Sequence, residues 1–159
     1  MRQAKWMSLT AGLIVVAAMC LGGCGKSADG TDPADQRAYD DMATLKTVKE
    51  FEKKVEGADR PVLVDFYANW CGPCKQLAPV IGSLAREFEG RVDFFRVDVD
   101  QAGALAQEMG IKVIPTVFLY VNGEPAHTFN YAARETYAKA LEAALAETTA
   151  TSHKPPATR

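Results

Sequence analysis

The chain has 159 residues, 48% of them hydrophobic and 24% charged, and a formal net charge of -2. This suits one globular domain with some length to spare. The near-neutral balance, with no long basic run, argues against a nucleic-acid surface.

The first residues differ from the rest. Arg2 and Lys5 precede a stretch from Trp6 to Gly25 that carries no charge. Its most apolar part, Leu9 to Leu21, has the length and basic flank of an export signal. It is short for a membrane-spanning helix, which needs roughly 20 apolar residues. Leu21-Gly22-Gly23-Cys24 follows at its end, and this resembles the lipobox of bacterial lipoproteins. The resemblance implies a signal peptide over residues 1–23, cleavage before Cys24 and lipidation of the Cys24 thiol. Met19 is bulky before Cys20, which makes Cys20 the poorer candidate. The alternative is an uncleaved anchor helix carrying an ordinary Cys24. Of the four cysteines, the lipoprotein reading leaves only Cys71 and Cys74 as thiols. They are too close in sequence to staple a fold together.

Residues 24–41 are polar and acidic, contain Gly30 and Pro33, and show no period, so they read as a flexible tether. Thr47-Val48-Lys49-Glu50 matches a capping box, and Val48, Phe51 and Val55 follow at helical spacing. Pro61 to Tyr67 is an apolar run broken only by Asp65, which predicts a buried central strand. A helix is expected from the cysteines onward, with Leu77, Ile81, Leu84 and Phe88 on one face, Pro79 kinking it and Gly90 ending it. Arg91 to Val99 predicts a second strand. Ala102, Leu105, Ala106 and Met109 predict a short helix closed by Gly110. Thr116 to Val121 predicts a third strand, turned by Asn122-Gly123 into an antiparallel partner over residues 124–131. Tyr137, Leu141 and Leu145 mark a last helix, and residues 148–159 read as a disordered tail. The domain is therefore expected over residues 42–147, as an α/β unit with a mixed sheet covered on both faces.

Three chemistries compete for the Cys71-Gly72-Pro73-Cys74 stretch. Structural zinc wants four ligands, and the chain adds only His127 and His153. Covalent haem needs a histidine after the second cysteine, where Lys75 stands. A redox dithiol fits the position between a buried strand and a helix. At the helix mouth the Cys71 sulfur would lie near free backbone N–H groups and the positive end of the dipole, which favours thiolate. Pro73 suits a first helical turn, and Gly72 leaves space for a substrate backbone. Cys71 would attack a substrate disulfide, and Cys74, one turn on, would resolve the mixed disulfide. Asp65, a carboxyl in an apolar strand, reads either as a buried base for the Cys74 proton or as a hydrogen-bonded structural Asp.

Taken together, "VLVDFYANWCGPCK", "GIKVIPT" over residues 110–116 and the Asn122-Gly123 turn resemble the thioredoxin family over about Thr47 to Leu145. The resemblance implies the thioredoxin fold, a central mixed sheet of four to five strands flanked by helices on both faces. It implies that Trp70 packs beside the active site, and that Ile114 and a cis Pro115 lie against the dithiol and bind substrate backbone. It assigns the buried acid to Asp65 and places Arg96 where the family usually has a lysine, although a solvated strand charge is as good a reading of Arg96. Tyr67 replaces a usual tryptophan. Asn130 replaces a glycine of the substrate groove, at a position where Asn would tolerate a left-handed backbone. The first strand of the family is weak here, at "MATL" over residues 42–45.

The function expected is a lipid-anchored thiol–disulfide oxidoreductase on the extracytoplasmic side of the envelope, reducing protein disulfides without a cofactor or metal. Its expected partners are protein disulfides, a membrane thiol-reducing system as electron donor, and the lipid membrane through Cys24; nucleic acid is not among them. Gly25 after Cys24, in place of an Asp retention signal, is compatible with an outer-membrane anchor in a bacterium that has one. The alternatives are a dithiol oxidase or isomerase of the envelope, and a non-catalytic anchored binding or chaperone module.

Overall fold

The computed structural model describes residues 32–152. The segment read as an export signal and lipidation site, with Cys20 and Cys24, lies outside the described residues, as does the end of the chain from His153.

The elements run α1 (Pro33–Asp40), β1 (Ala43–Thr44), α2 (Val48–Phe51, continued by a π-helical turn over Glu52–Glu56), β2 (Val62–Tyr67), α3 (Gly72–Glu87), β3 (Asp93–Asp98), α4 (Gly103–Glu108), β4 (Thr116–Val121), β5 (Glu124–Phe129) and α5 (Arg134–Ser152). The five strands form one mixed sheet in the order β1-β3-β2-β4-β5. β1 and β2 run parallel to β3, and β4 runs antiparallel to both β2 and β5. "MATL" does supply the edge strand, although only Ala43 and Thr44 pair. Among the described non-glycine residues only Asn122 has a positive φ, 53°, and Gly123 follows at 78°. That pair builds the tight turn between β4 and β5.

The alternation of β2 sorts the two cores. Val62, Val64 and Phe66 face Phe51, Val55 and Leu105 of α2, its π-helical turn and α4. Leu63 faces Tyr39, Leu77, Ile81, Leu84, Tyr137 and Leu141 of α1, α3 and α5. Asp65, two residues from Leu63, therefore lies on the α1–α3–α5 side.

Two expected boundaries shift. Residues 33–40, read as tether, form a packed helix. Asp32 caps it by accepting from the Ala34 N–H at 2.8 Å, with Pro33 in the first turn. Pro33 thus starts a helix, because its missing N–H is not needed there. α1 buries Tyr39 to 3% exposure, and its Asp35, also buried, pairs with Arg86 of α3 at 2.5 Å. At the other end, Thr148 to Ser152 continue α5 and are not tail. The hydroxyls of Thr148 and Thr149 donate to the carbonyls of Ala144 and Ala146, so these polar residues satisfy themselves within a helix. α3 runs through Pro79 unbroken.

The capping box at Thr47 forms, but its second bond reaches one residue further. Glu50 N–H donates to Thr47 Oγ1 at 3.2 Å, while the Glu50 carboxylate accepts from the Lys46 N–H at 2.9 Å.

α1 approaches α3 so closely that a Cβ on Gly82 would overlap the Asp35 carbonyl oxygen. Gly82→Ala should therefore lower the unfolding free energy by about 1–3 kcal/mol in chemical denaturation. Gly103→Ala, where a Cβ would meet nothing within 4 Å, should be neutral or slightly stabilising.

Candidate active site

α3 begins where β2 ends. Cys71 is its N-cap, in extended conformation, with Pro73 in the first turn. The two cysteines are joined as a disulfide with Cα atoms 5.3 Å apart, and the Cys74 N–H donates to Cys71 Sγ at 3.2 Å. A Cys71 thiolate at this cap would be stabilised by that N–H and by the helix dipole. Both cysteines are buried and pack with Ala68, Tyr67, Val99 and Ile114.

The Ile114-Pro115 peptide bond is cis. Its loop is held by the Thr116 hydroxyl, which donates to the Val113 carbonyl at 2.7 Å. Ile114 packs against the dithiol cluster, so this loop and the start of α3 meet.

Trp70 is 68% exposed, and its indole N–H donates to Asp100 Oδ2 at 2.8 Å. Buried Asp98 organises the base of this contact. It accepts from Asn69 Nδ2, from Gln101 Nε2 and from the Asp100 N–H. A Cβ on Gly72 would meet nothing within 4 Å, so the protein's own packing does not require a glycine there.

Asn130 does not take the left-handed backbone allowed for it, since φ is positive only at Asn122 among described non-glycine residues. Its amide donates to Thr116 Oγ1 at 3.4 Å, and its carbonyl accepts from the Tyr137 hydroxyl at 3.0 Å. The side chain thus ties the end of β5 to the cis-proline loop.

Asp65 is fully buried. Its Oδ2 accepts from the Tyr39 hydroxyl at 2.7 Å, while Oδ1 has no hydrogen-bond partner. Burial pushes its carboxyl up to about 6, against the Tyr39 hydrogen bond and the Arg96 charge, which pull it down. Arg96 makes no bond to Asp65. Its guanidinium donates to the Asp40 carbonyl and to Thr44 Oγ1 and lies over the rings of Tyr39 and Tyr67. Tyr39, Tyr67, Arg96, Lys75 and Cys74 line one cavity of about 280 Å³ behind the dithiol.

Among the described residues, no group of three or more His, Cys, Asp or Glu side chains could hold a metal ion. No helix among them is long and apolar enough to cross a membrane.

Comparison with known proteins accounts for this arrangement. The thioredoxin family model matches residues 42–147. The chain belongs to the thioredoxin family. It is 44% identical over 87 residues to a thioredoxin of Rickettsia felis, covering 55% of this chain and 83% of that one. It is 42% identical over 84 residues to the chloroplastic thioredoxin M5 of Oryza sativa subsp. japonica, covering 53% and 49%. Its fold is similar to that of oxidised mitochondrial thioredoxin 3 from Saccharomyces cerevisiae, with TM-score 0.61, 28% identity, and coverage of 67% of this chain and 98% of that one. With the cysteine pair in place, this is a thiol–disulfide oxidoreductase of the thioredoxin type.

Tyr39 was not legible as a site residue. It stands outside the thioredoxin match, in what read as tether. The available signal was Asp32-Pro33, a cap followed by proline, with Asp35 and Tyr39 four residues apart on one helical face.

The raised carboxyl of Asp65 has a stability consequence. Its folded value of about 6 lies above the ordinary 3.8. Between those values the folded state keeps a proton that the unfolded state has lost, so stability falls as pH rises through the window. Asp65→Asn should therefore stabilise the oxidised protein above pH 6 by roughly 1–3 kcal/mol. The gain should vanish below about pH 4, as read by denaturation across pH.

Proposed function

We propose that this thioredoxin-type oxidoreductase reduces protein disulfides outside the cytoplasm, anchored by lipid on Cys24 and supplied with electrons by a membrane thiol-reducing system. The observation that carries the catalytic part is the Cys71–Cys74 pair at the α3 cap, with the cis-proline loop packed against it. Protein-sized substrates fit the surface around it. Among the described residues Trp70, Val113 and Tyr131 are exposed large hydrophobics, and Trp70 and Val113 directly precede Cys71 and Ile114 of the dithiol cluster. Such a rim can grip extended peptide through apolar contact.

Cys71 thiolate attacks the substrate disulfide, and Cys74 resolves the mixed disulfide. Asp65 acts as the base for the Cys74 proton, because it is a buried carboxyl on the α3 side of the sheet, bonded to Tyr39, which lines one cavity with Cys74. Trp70, Gly72, Pro73, Ile114, Pro115 and Asn130 form the substrate surface.

The anchoring part is supported by the sequence from Trp6 to Cys24 and by the Leu21 to Cys24 lipobox resemblance. A lipid would give this compact domain a fixed place on the envelope without a spanning helix.

Insulin reduction driven by dithiothreitol tests the catalytic part. Wild type should accelerate it, and Cys71→Ser should fall to the uncatalysed rate. Equal inactivity of both would leave a binding module instead. Equilibration of the dithiol with glutathione tests direction. A reductase should poise near about -270 mV, the general value for thioredoxins. A poise near about -120 mV would make it an oxidant. Mass spectrometry of the mature N-terminus should find a diacylated Cys24; an intact Met1 would contradict the lipoprotein reading.

A further inference from the structure

We propose that Tyr39 is a positioning residue for the exchange reaction: its hydroxyl holds Asp65 as the base for Cys74, which makes α1 a working part of the active site. This rests on the reading of Asp65 as that base.

Three observations carry it. The Tyr39 hydroxyl is 2.7 Å from Asp65 Oδ2, and both groups are buried. This bond occupies one carboxyl oxygen and leaves Oδ1 without a partner and able to take a proton. Tyr39 and Cys74 also line the same cavity of about 280 Å³, so the phenol bonded to Asp65 reaches the space that the thiol borders.

α1 is also fastened where it would have to be. Asp35 pairs with Arg86 of α3, and α1 backbone meets Gly82. The Arg96 guanidinium bonds the Asp40 carbonyl at 2.7 Å. The Tyr39 ring packs edge-on to Tyr67, 6.0 Å between centroids. These contacts fix the phenol on the carboxyl.

The groups that face Asp65 have separable effects. Arg96 from β3 favours the carboxylate by charge, and so does the Tyr39 hydrogen bond. Tyr67 of β2 and Tyr137 of α5 are themselves held above the ordinary phenol range, burial being the main cause. Tyr39 is held there too, by burial and then by the Asp65 charge. All three phenols therefore stay neutral while Asp65 titrates, and Tyr39 remains a donor to it throughout.

In the resolving step the Cys74 thiol gives its proton to the Asp65 carboxylate and becomes a thiolate. Its electron pair forms the bond to Cys71 Sγ. The bond between Cys71 and the substrate sulfur breaks, and its pair leaves on the substrate thiolate, which takes a proton from water. The dithiol is oxidised by two electrons and the substrate disulfide reduced by two.

The test follows decay of the mixed disulfide by rapid acid quench, at saturating peptide disulfide, from pH 5 to 8. In wild type the rate should rise with a midpoint near 6. Tyr39→Phe keeps the ring and its packing but removes the donor, so the carboxyl should ionise later. The midpoint should move up by about one pH unit, with decay about five-fold slower at pH 6 and little changed at pH 8. In an Asp65→Asn background the limb should flatten, and Tyr39→Phe should add nothing.

If Asp65→Asn flattens the limb while Tyr39→Phe matches wild type, the role of Tyr39 is overturned and the base reading survives. Should Asp65→Asn leave the limb unchanged, both are overturned. Equal slowing by Tyr39→Phe at every pH, or equal slowing with and without Asp65, would reduce Tyr39 to a packing residue.

Discussion

A carboxyl group at the centre of a buried strand has to be neutral, hydrogen-bonded or paired, because desolvating an unpaired charge costs several kcal/mol. Asp65 meets that constraint with one hydrogen bond, from Tyr39, and a nearby but unbonded Arg96. Much of the surrounding structure serves this arrangement. β2 must alternate so that Asp65 points to the α3 side. α1 must dock to bring the phenol in, and β3 must place Arg96 beside both. The opposite core, under α2 and α4, packs Leu45, Phe51, Val55, Val64, Phe66 and Leu105.

The dithiol exploits the other local constraint, the free backbone donors at a helix start. Cys71 occupies the cap of α3 and receives the Cys74 N–H, while the cis-proline loop closes over the pair from β4. One cysteine is thereby placed in an environment that favours thiolate. Its partner, one turn on, backs onto the cavity that Tyr39 and Arg96 also line. Attack and resolution thus fall to two sulfurs with different surroundings.

Much of this was legible in the residues. Pro61 to Tyr67 read as a buried strand, Asn122-Gly123 as a tight turn, and the steps from Leu77 to Phe88 as a helix, and each forms. The dithiol followed from its place between a buried strand and a helix, with only His127 and His153 as further zinc ligands and Lys75 where haem needs a histidine. The helix over residues 33–40 was not legible, for a physical reason. Residues 32–41 are short and acidic, and their helix is stabilised by tertiary contacts: Gly82 admits its backbone, Arg86 pairs with Asp35, and Asp65 receives Tyr39. None of those partners is local, so composition alone read the segment as tether. The same holds for Asn130, whose contacts to Thr116 and Tyr137 come from elements on either side of it.

The central claim is that Asp65 titrates late and in contact with Tyr39. Carbon-13 labelling of aspartate carboxyls in the oxidised full-length protein, followed by NMR from pH 3 to 9, observes this directly. Asp65 should show a midpoint near 6, and the Tyr39 ring resonances should move with the same midpoint. A midpoint near 3.8, or a Tyr39 ring that ignores the Asp65 titration, would contradict it.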